Sequence, residues 1–288
     1  MDHVRIVTIN IWNRSGPWES RLAGLRAGLA ELNADVVVLQ EVLRLESGGI
    51  SQLDALASDL HPHQAYATAW TLDSTTGFTM GNAVLSRFPI AEHEQTLLPN
   101  PMQHETRALL YTLCETPHGL LPVLATHLDW QFELSHARCQ QVAFIVEKME
   151  LWLSLSRQRL GAELLPAVLA GDFNAEPDSD EIRYLRGRHA LPSPGAGGLH
   201  GAYFNDCYAF CGGDERAGAT FSRTNTHAAA IHEPERRIDY IFVRPPDRHG
   251  RGMPLRAWRC LDQPFQGVFP SDHFGVAADL QLASLRRV

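Results

Sequence analysis

The periodicity of apolar residues changes along the chain, and each change marks an element. Val4 to Ile9 is rich in β-branched residues and ends at Asn10-Ile11-Trp12, as a strand would. From Glu19 to Asn33, Leu22, Leu25, Leu29 and Leu32 recur at spacings of three and four, an apolar stripe on a helix that Asn33 can end. The unbroken Val36-Val37-Val38-Leu39 predicts a buried strand stopping at Gln40-Glu41, and Ala167-Val168-Leu169-Ala170 predicts another stopping at Gly171-Asp172-Phe173-Asn174. Residues 51 to 60 read as a short helix, His63 to Trp70 as extended, and Asn82 to Phe88 as a strand, with Pro89 turning the chain into the next one. Arg107 to Glu115 and Leu120 to His127 form a hairpin through Thr116-Pro117-His118-Gly119. Glu133 to Arg159 is the longest helical stretch, with Val142, Ile145, Val146, Met149 and Leu153 on one side. Pro177, Ser179 and Asp180-Glu181 suit the start of a further helix. Residues 191 to 201 read as a Gly- and Pro-rich loop, and 203 to 235 carry no legible period. Strands return at Ile238 to Val243, near Leu255 to Cys260, and at Gly275 to Leu282. Alternating strands and helices predict an α/β fold.

Polar residues cluster where these strands end. Asn10, Glu41, Asp172 and Asn174 follow three of them, and Ser271-Asp272-His273 precedes the last. Strand ends are where backbone pairing stops and side chains can converge on a cleft. For residues so far apart to share a site, one layered core must unite them. No Pro/Ser/Gly linker separates two halves, so a single domain over residues 1–288 is expected.

Composition narrows the setting. The 44% hydrophobic and 20% charged content is ordinary for a globular protein. No apolar run approaches the roughly 18 residues of a membrane span. The start reads as strand (Val4-Arg5-Ile6-Val7), not as a signal peptide, which makes the cytoplasm the expected location. Five scattered cysteines are not a disulfide framework, and Cys207 and Cys211 lack the second pair that a zinc site would need. With 25 basic against 33 acidic residues the formal charge is −8, which disfavours long polyanions such as nucleic acid as partners. The arginines at 236, 237, 244, 248, 251, 256 and 259 crowd one segment and read as a solvated loop, with a basic patch as the alternative.

Asn10, Gln40-Glu41, Gly81-Asn82-Ala83-Val84-Leu85-Ser86-Arg87 and Thr126-His127-Leu128 are followed in order by Arg138 with Gln141 and by Gly171-Asp172-Phe173-Asn174-Ala175. Arg237-Ile238-Asp239-Tyr240-Ile241 and Ser271-Asp272-His273 complete the series. In this order, along nearly the whole chain, the sequence resembles the endonuclease/exonuclease/phosphatase superfamily. The resemblance implies a DNase I-like four-layer α/β/β/α sandwich, two packed mixed sheets flanked by helices. It also implies a phosphoesterase that uses Mg2+ or Mn2+.

Phosphodiesters repel nucleophiles and release a poor leaving group, so hydrolysis calls for a cation, a positioned water and a proton source. Hard cations take carboxylate and carbonyl oxygens, which makes Glu41 and Asp272 the expected metal ligands with Asn10 and Asp172 beside them. Asp172 and Asn174 stand two apart and would share a side of an extended segment, although an Asx turn is the plainer use of such residues. By resemblance Asp172 aligns or deprotonates water, Asn174 bonds that water or a phosphoryl oxygen, and His273 pairs with Asp239. A carboxylate such as Asp239 within an apolar strand is costly unless paired. The resemblance implies that His127 protonates the leaving group or binds phosphate, with Asp129 placed to orient it, while Arg138 and Gln141 are expected to brace its loop. Arg107, Asn82 and Trp12 are candidate substrate contacts. Trp12 and Trp130 flank the site and could stack on a base, a sugar or a lipid head group, or pack in the core.

The function implied is a divalent-metal-dependent phosphodiester hydrolase, acting by in-line attack of activated water on a small or lipid phosphodiester or a nucleic acid end. The alternative is a phosphomonoesterase on a nucleotide, sugar or inositol phosphate. For inositol 5-phosphatases the expected Trp-Cys-Asp-Arg is missing, since the chain reads Glu233-Pro234-Glu235-Arg236-Arg237-Ile238-Asp239. A catalytically dead binding module on the same fold is the reading from another class, and the complete set of polar residues argues against it.

Overall fold

The structure, a computed structural model, describes residues 2–45, 51–57, 60–102, 105–192 and 199–284. The first part of the chain runs β1 (His3–Asn10), α1 (Trp18–Leu32), β2 (Val36–Leu45), α2 (Gln52–Leu56), β3 (His63–Asp73) and β4 (Phe78–Ser86). Then come β5 (Ile90–Leu97), β6 (Ala108–Thr116), β7 (Gly119–His127), α3 (Ser135–Leu160), β8 (Val168–Asp172) and α4 (Asp180–Leu185). Short elements follow: β9 (Leu191–Pro192), β10 (Leu199–His200), β11 (Asn205–Asp206), α5 (Cys207–Phe210) and α6 (Thr226–Ala229). The last strands are β12 (Asp239–Val243), β13 (Pro254–Cys260) and β14 (Gly275–Gln281).

Two six-stranded sheets form, in the orders β13-β14-β1-β2-β4-β3 and β11-β12-β8-β7-β6-β5. The pairs β1·β2 and β7·β8 are parallel and the others antiparallel, so both sheets are mixed. Strand alternation sorts the apolar side chains into layers. Val4, Ile6, Val36 and Val38 meet Leu110, Val123, Ala125, Val168 and Ala170 between the sheets. On the outer face of the first sheet, Val7, Ile9, Val37 and Leu39 pack against Leu25 and Leu29 of α1. On the outer face of the second, Leu109, Leu124 and Leu169 pack against Val142, Ile145, Val146 and Met149 of α3. The result is the α/β/β/α layering that the resemblance implied.

Three readings need correction. The helix read at 51–60 ends at Leu56, because Ala57 turns extended (ψ 138°), and residues 58 and 59 lie outside the described residues. The stretch read as loop at 191–201 includes the antiparallel pair β9·β10, whereas 193–198 lie outside the described residues. The Arg-rich segment is a solvated loop only over 244–253, where Arg248 is exposed, and most of its other arginines are paired. Arg237 reaches Asp206 at 2.8 Å, Arg251 reaches Asp247 at 2.6 Å, and Arg259 reaches Asp262 at 3.1 Å. Arg236 pairs with Glu233, Arg244 with Glu150, and Arg256 lies 4.2 Å over the Trp258 ring.

Candidate active site

The site is the open end of the layer between the sheets. Along each strand the inward series passes from apolar to polar: Ile6, Thr8, Asn10 on β1; Val123, Ala125, His127 on β7; Val168, Ala170, Asp172 on β8; Val243, Ile241, Asp239 on β12. Register sets these last residues side by side, since β7 places His127 opposite Asp172 and β12 places Asp239 opposite Asp172. Close parallel approach requires Gly171 before the aspartate. Its φ is 150°, and a Cβ there would lie 1.9 Å from the Thr126 carbonyl oxygen.

Glu41 reaches the same end by a different device. On strict alternation it would face α1 with Val37 and Leu39. A register shift between Leu39 and Val42, with Glu41 at φ 57°, turns its carboxylate toward the cleft instead. Asn10 accepts the Trp12 N–H at 2.9 Å through Oδ1, which leaves Nδ2 to donate to Glu41 Oε1 and to Asp172 Oδ2, both at 3.1 Å. Asn13 donates to the other Glu41 oxygen at 2.9 Å. Asn174, at φ 49°, gives its N–H to Asp172 Oδ1 at 2.9 Å and its Nδ2 to the Leu128 carbonyl at 3.1 Å, so the Asx turn and the site coexist. Ser271 donates to the Asn10 carbonyl at 2.6 Å and sets Asp272 and His273 at the rim of β1.

Two imidazoles flank Asp172 in opposite states. His273 contacts Asp239 Oδ2 through Nδ1 at 2.9 Å and lies 3.8 Å from Asp172 Oδ2 through Nε2. Burial opposes its charge, but Asp239 and Asp172 outweigh that and raise its pKa well above the usual histidine value. His127 faces Arg107 through Nδ1 at 3.3 Å and Asp172 through Nε2 at 3.4 Å. Burial, with the charges of Arg107 and His273 added, holds its pKa well below the usual value. Neutral His127 must accept from the arginine at Nδ1, so its proton sits on Nε2 toward Asp172. Burial pushes Asp172 up to about 6 and Asp272 up to about 7, with Asp239 adding to the first and Glu41 to the second.

A cleft of about 360 Å³ is lined by Asn10, Trp12, Glu41, Arg107, His127, Asp172, Asn174, Asp272 and His273. Asp239 stands behind His273, fully buried. Asn82 is not brought into the cleft: it shares the inward face of β4 with Val84 and donates to the Ala108 carbonyl at 2.8 Å, tying the two sheets together. Asp129 does not orient His127 either, since its Oδ1 accepts the Gln131 N–H while Arg107 holds the imidazole. Trp12 packs 5.0 Å from the His227 ring and 4.9 Å from the Arg21 guanidinium. Among the described residues, Asp172, Asp239 and His273 form a buried group whose donor atoms lie within 4.8 Å of one another, a spacing that could hold a metal ion.

Arg21 is a site residue the sequence reading missed. It is fully buried, and its guanidinium donates to the carbonyls of Ile11, Trp12, Asn13, Ser15 and Pro270. It thereby joins the loop after β1 to the segment before Ser271. The available signal was a lone cation between Trp18 and Leu25 on the buried face of α1, where a charge has to find partners.

Paired mixed sheets with this carboxylate, carboxamide and imidazole set at adjoining strand ends define a phosphoesterase. The chain belongs to the endonuclease/exonuclease/phosphatase family, whose model matches residues 7–273. Among curated proteins, it is 27% identical over 195 residues to protein angel of Drosophila melanogaster, a match spanning 62% of this chain and about half (51%) of that protein. It is 22% identical to an uncharacterized protein of Caenorhabditis elegans, over 96% of this chain and 90% of the relative. Among solved structures, D. rerio TDP2 complexed with single strand DNA product superposes with a TM-score of 0.68 at 18% identity, covering 97% of this chain and 99% of that one. The human Nocturnin catalytic domain with bound sulfate anion gives 0.67 at 17%, covering 97% and 94%. These likenesses are of fold.

Proposed function

We propose that the chain is a divalent-metal-dependent phosphodiester hydrolase in which water attacks phosphorus in line and no covalent intermediate forms. The observation that carries this reading is the meeting of Asn10, Glu41, His127 and His273 around Asp172 at one cleft. Glu41 and Asp272 fit a hard cation. Asn10 and Asn13 give Glu41 neutral donors, and the guanidinium of Arg21, whose charge acts on both carboxylates, is bonded to main-chain carbonyls. Burial raises Asp272, with the charge of Glu41 adding to it, and a divalent ion bound between the two carboxylates would relieve that. A magnesium or manganese ion held there would polarise a phosphoryl oxygen and offset the charge that develops in the transition state. The Asp172, Asp239 and His273 group is assigned to proton handling, because Asp239 already accepts the Nδ1 proton and an imidazolium offers no lone pair to a metal.

Asp172, with a pKa near neutrality, suits the base that takes the proton of the attacking water. Asn10 and the Asn174 main-chain N–H fix both of its oxygens. His273, charged and steadied by Asp239, offsets the negative charge that develops on phosphorus. His127, neutral with its proton on Nε2, acts as a hydrogen-bond donor, and the expectation that it protonates the leaving group is set aside. Arg107 holds it, paired on its other side with Glu105 at 3.2 Å. Arg107 and Arg236, which line the cleft, are already paired with Glu105 and Glu233, so a singly charged diester fits better than a doubly charged monoester. Turnover of bis-(p-nitrophenyl) phosphate and p-nitrophenyl phosphate in Mg2+, Mn2+ and EDTA tests this. The diester should be preferred and EDTA should abolish its hydrolysis. Preference for the monoester, or activity that survives chelation, would contradict it.

A further inference from the structure

The mouth of the cleft carries residues with no part in this chemistry. Trp130 and Ile231 line it with 48% and 46% of their surfaces exposed. An exposed indole on a mobile loop would be unremarkable, but this loop is fixed. Asp129 N–H donates to Gln141 at 3.1 Å, and Arg138 donates to the carbonyls of Asp129 at 3.3 Å and Gln131 at 2.6 Å. Arg138 is itself held by fully buried Glu181 at 2.6 Å, and Asn174 anchors the preceding carbonyl of Leu128. The main chain that carries the ring is therefore held in place, which leaves less ordering to oppose binding. Beside it Arg236, buried and lining the same cleft, lies 4.2 Å over the Phe132 ring and 5.6 Å from the Phe221 ring. Glu233 takes one of its terminal nitrogens, while its buried Nε has no acceptor.

We infer that Trp130, Ile231 and Arg236 form a subsite for a planar heteroaromatic group of the nucleobase class, attached to the phosphorus that Asp172 addresses. The inference rests on the proposed hydrolase reading for the placing of that phosphorus. A base offers a face to the indole and ring or carbonyl acceptors to the guanidinium. An alkyl chain would cover Arg236 and give it no acceptor, which is costly. Arg107 and Arg236 are already paired with Glu105 and Glu233 and have no charge to spare for further phosphates, so the fit is to a diester of nucleotide size and not to a long strand.

Three diesters with one leaving group test the subsite: thymidine 5′-(p-nitrophenyl) phosphate, methyl p-nitrophenyl phosphate and octyl p-nitrophenyl phosphate, each with Mg2+. Base stacking of the usual strength predicts a kcat/KM roughly 10-fold or more higher for the thymidine ester than for the methyl ester. Trp130→Ala should bring that ratio close to one, and Trp130→Phe should keep most of it. A preference for the octyl ester, or a ratio unmoved in Trp130→Ala, would overturn the assignment. Calorimetric binding of thymidine 5′-monophosphate against ribose 5-phosphate, in the wild type and in Trp130→Ala, reads the subsite without turnover. Tighter binding of the nucleotide that is lost in Trp130→Ala supports the subsite even if all three esters prove inert, a result that would sink the hydrolase reading alone. Equal affinity for the two phosphates overturns the subsite whatever the turnover.

Discussion

His273 owes its charge to what surrounds it. Burial alone would keep the ring neutral, yet Asp239 at 2.9 Å and Asp172 beyond it hold it protonated. Asp239 in turn is fully buried and tolerable because it is paired. If the two act as one unit, their losses cannot add. His273→Ala and Asp239→Ala should each lower turnover by about 10²–10⁴, the usual contribution of a positioned acid or base. The double variant should be little worse than the weaker single one, with circular dichroism unchanged. Strictly multiplicative losses would show independent action. A carboxylate inside Ile238 to Val243 showed in the sequence that Asp239 needs a partner, and the family resemblance implied that the partner is His273. The state of His127 was not legible there, since it depends on Arg107 arriving at Nδ1 from β6's edge at 3.3 Å, a contact between residues 20 apart.

At the scale of elements, the apolar runs of β1, β2 and β8 located their strands and the polar residues that close them. What strand periodicity could not reveal is the bulge that turns Glu41 into the cleft, because alternation assigns that position to the opposite face. Between 203 and 235 the elements are two to four residues long and are held by side chains instead of by period. Thr220 accepts the N–H groups of Ile238 and Asp239, each at 3.1 Å, and Asn225 donates to the Ser271 carbonyl at 2.8 Å. Arg21 works in the same manner from α1, joining two loops whose residues stand up to 249 positions from it. Burial lowers its pKa to about 10, so it stays charged at neutral pH. Arg21→Lys keeps the charge and loses the planar fork that reaches several carbonyls at once. Urea unfolding should show a loss of roughly 2–4 kcal/mol, the size expected when buried carbonyls lose their donors. Unchanged stability would mean that the loops are held by other contacts.

The whole molecule is acidic, at −8, and most of the arginines from 236 to 259 are paired with acids or rings. Among the described residues no helix is long and apolar enough to cross a membrane. Long polyanions should therefore be poor substrates. Cleavage of plasmid DNA or RNA at low salt should be slower than hydrolysis of small diesters, and faster cleavage of the polymers would contradict the charge reading. The same sandwich brings two sets of carboxylates to one end of its inner layer: Glu41 and Asp272 from the first sheet's side, Asp172 and Asp239 from the second. In the proposed mechanism the first pair holds the cation and the second handles protons. Calorimetric titration of Mg2+ into the wild type, Glu41→Gln and Asp239→Asn tests that division most directly. Glu41→Gln should weaken binding at least about 10-fold, the effect of roughly 1.4 kcal/mol or more from losing a charged ligand. Asp239→Asn should bind magnesium nearly as the wild type does. Unchanged affinity in Glu41→Gln, with affinity lost in Asp239→Asn, would place the metal on the Asp172, Asp239 and His273 group and contradict the account.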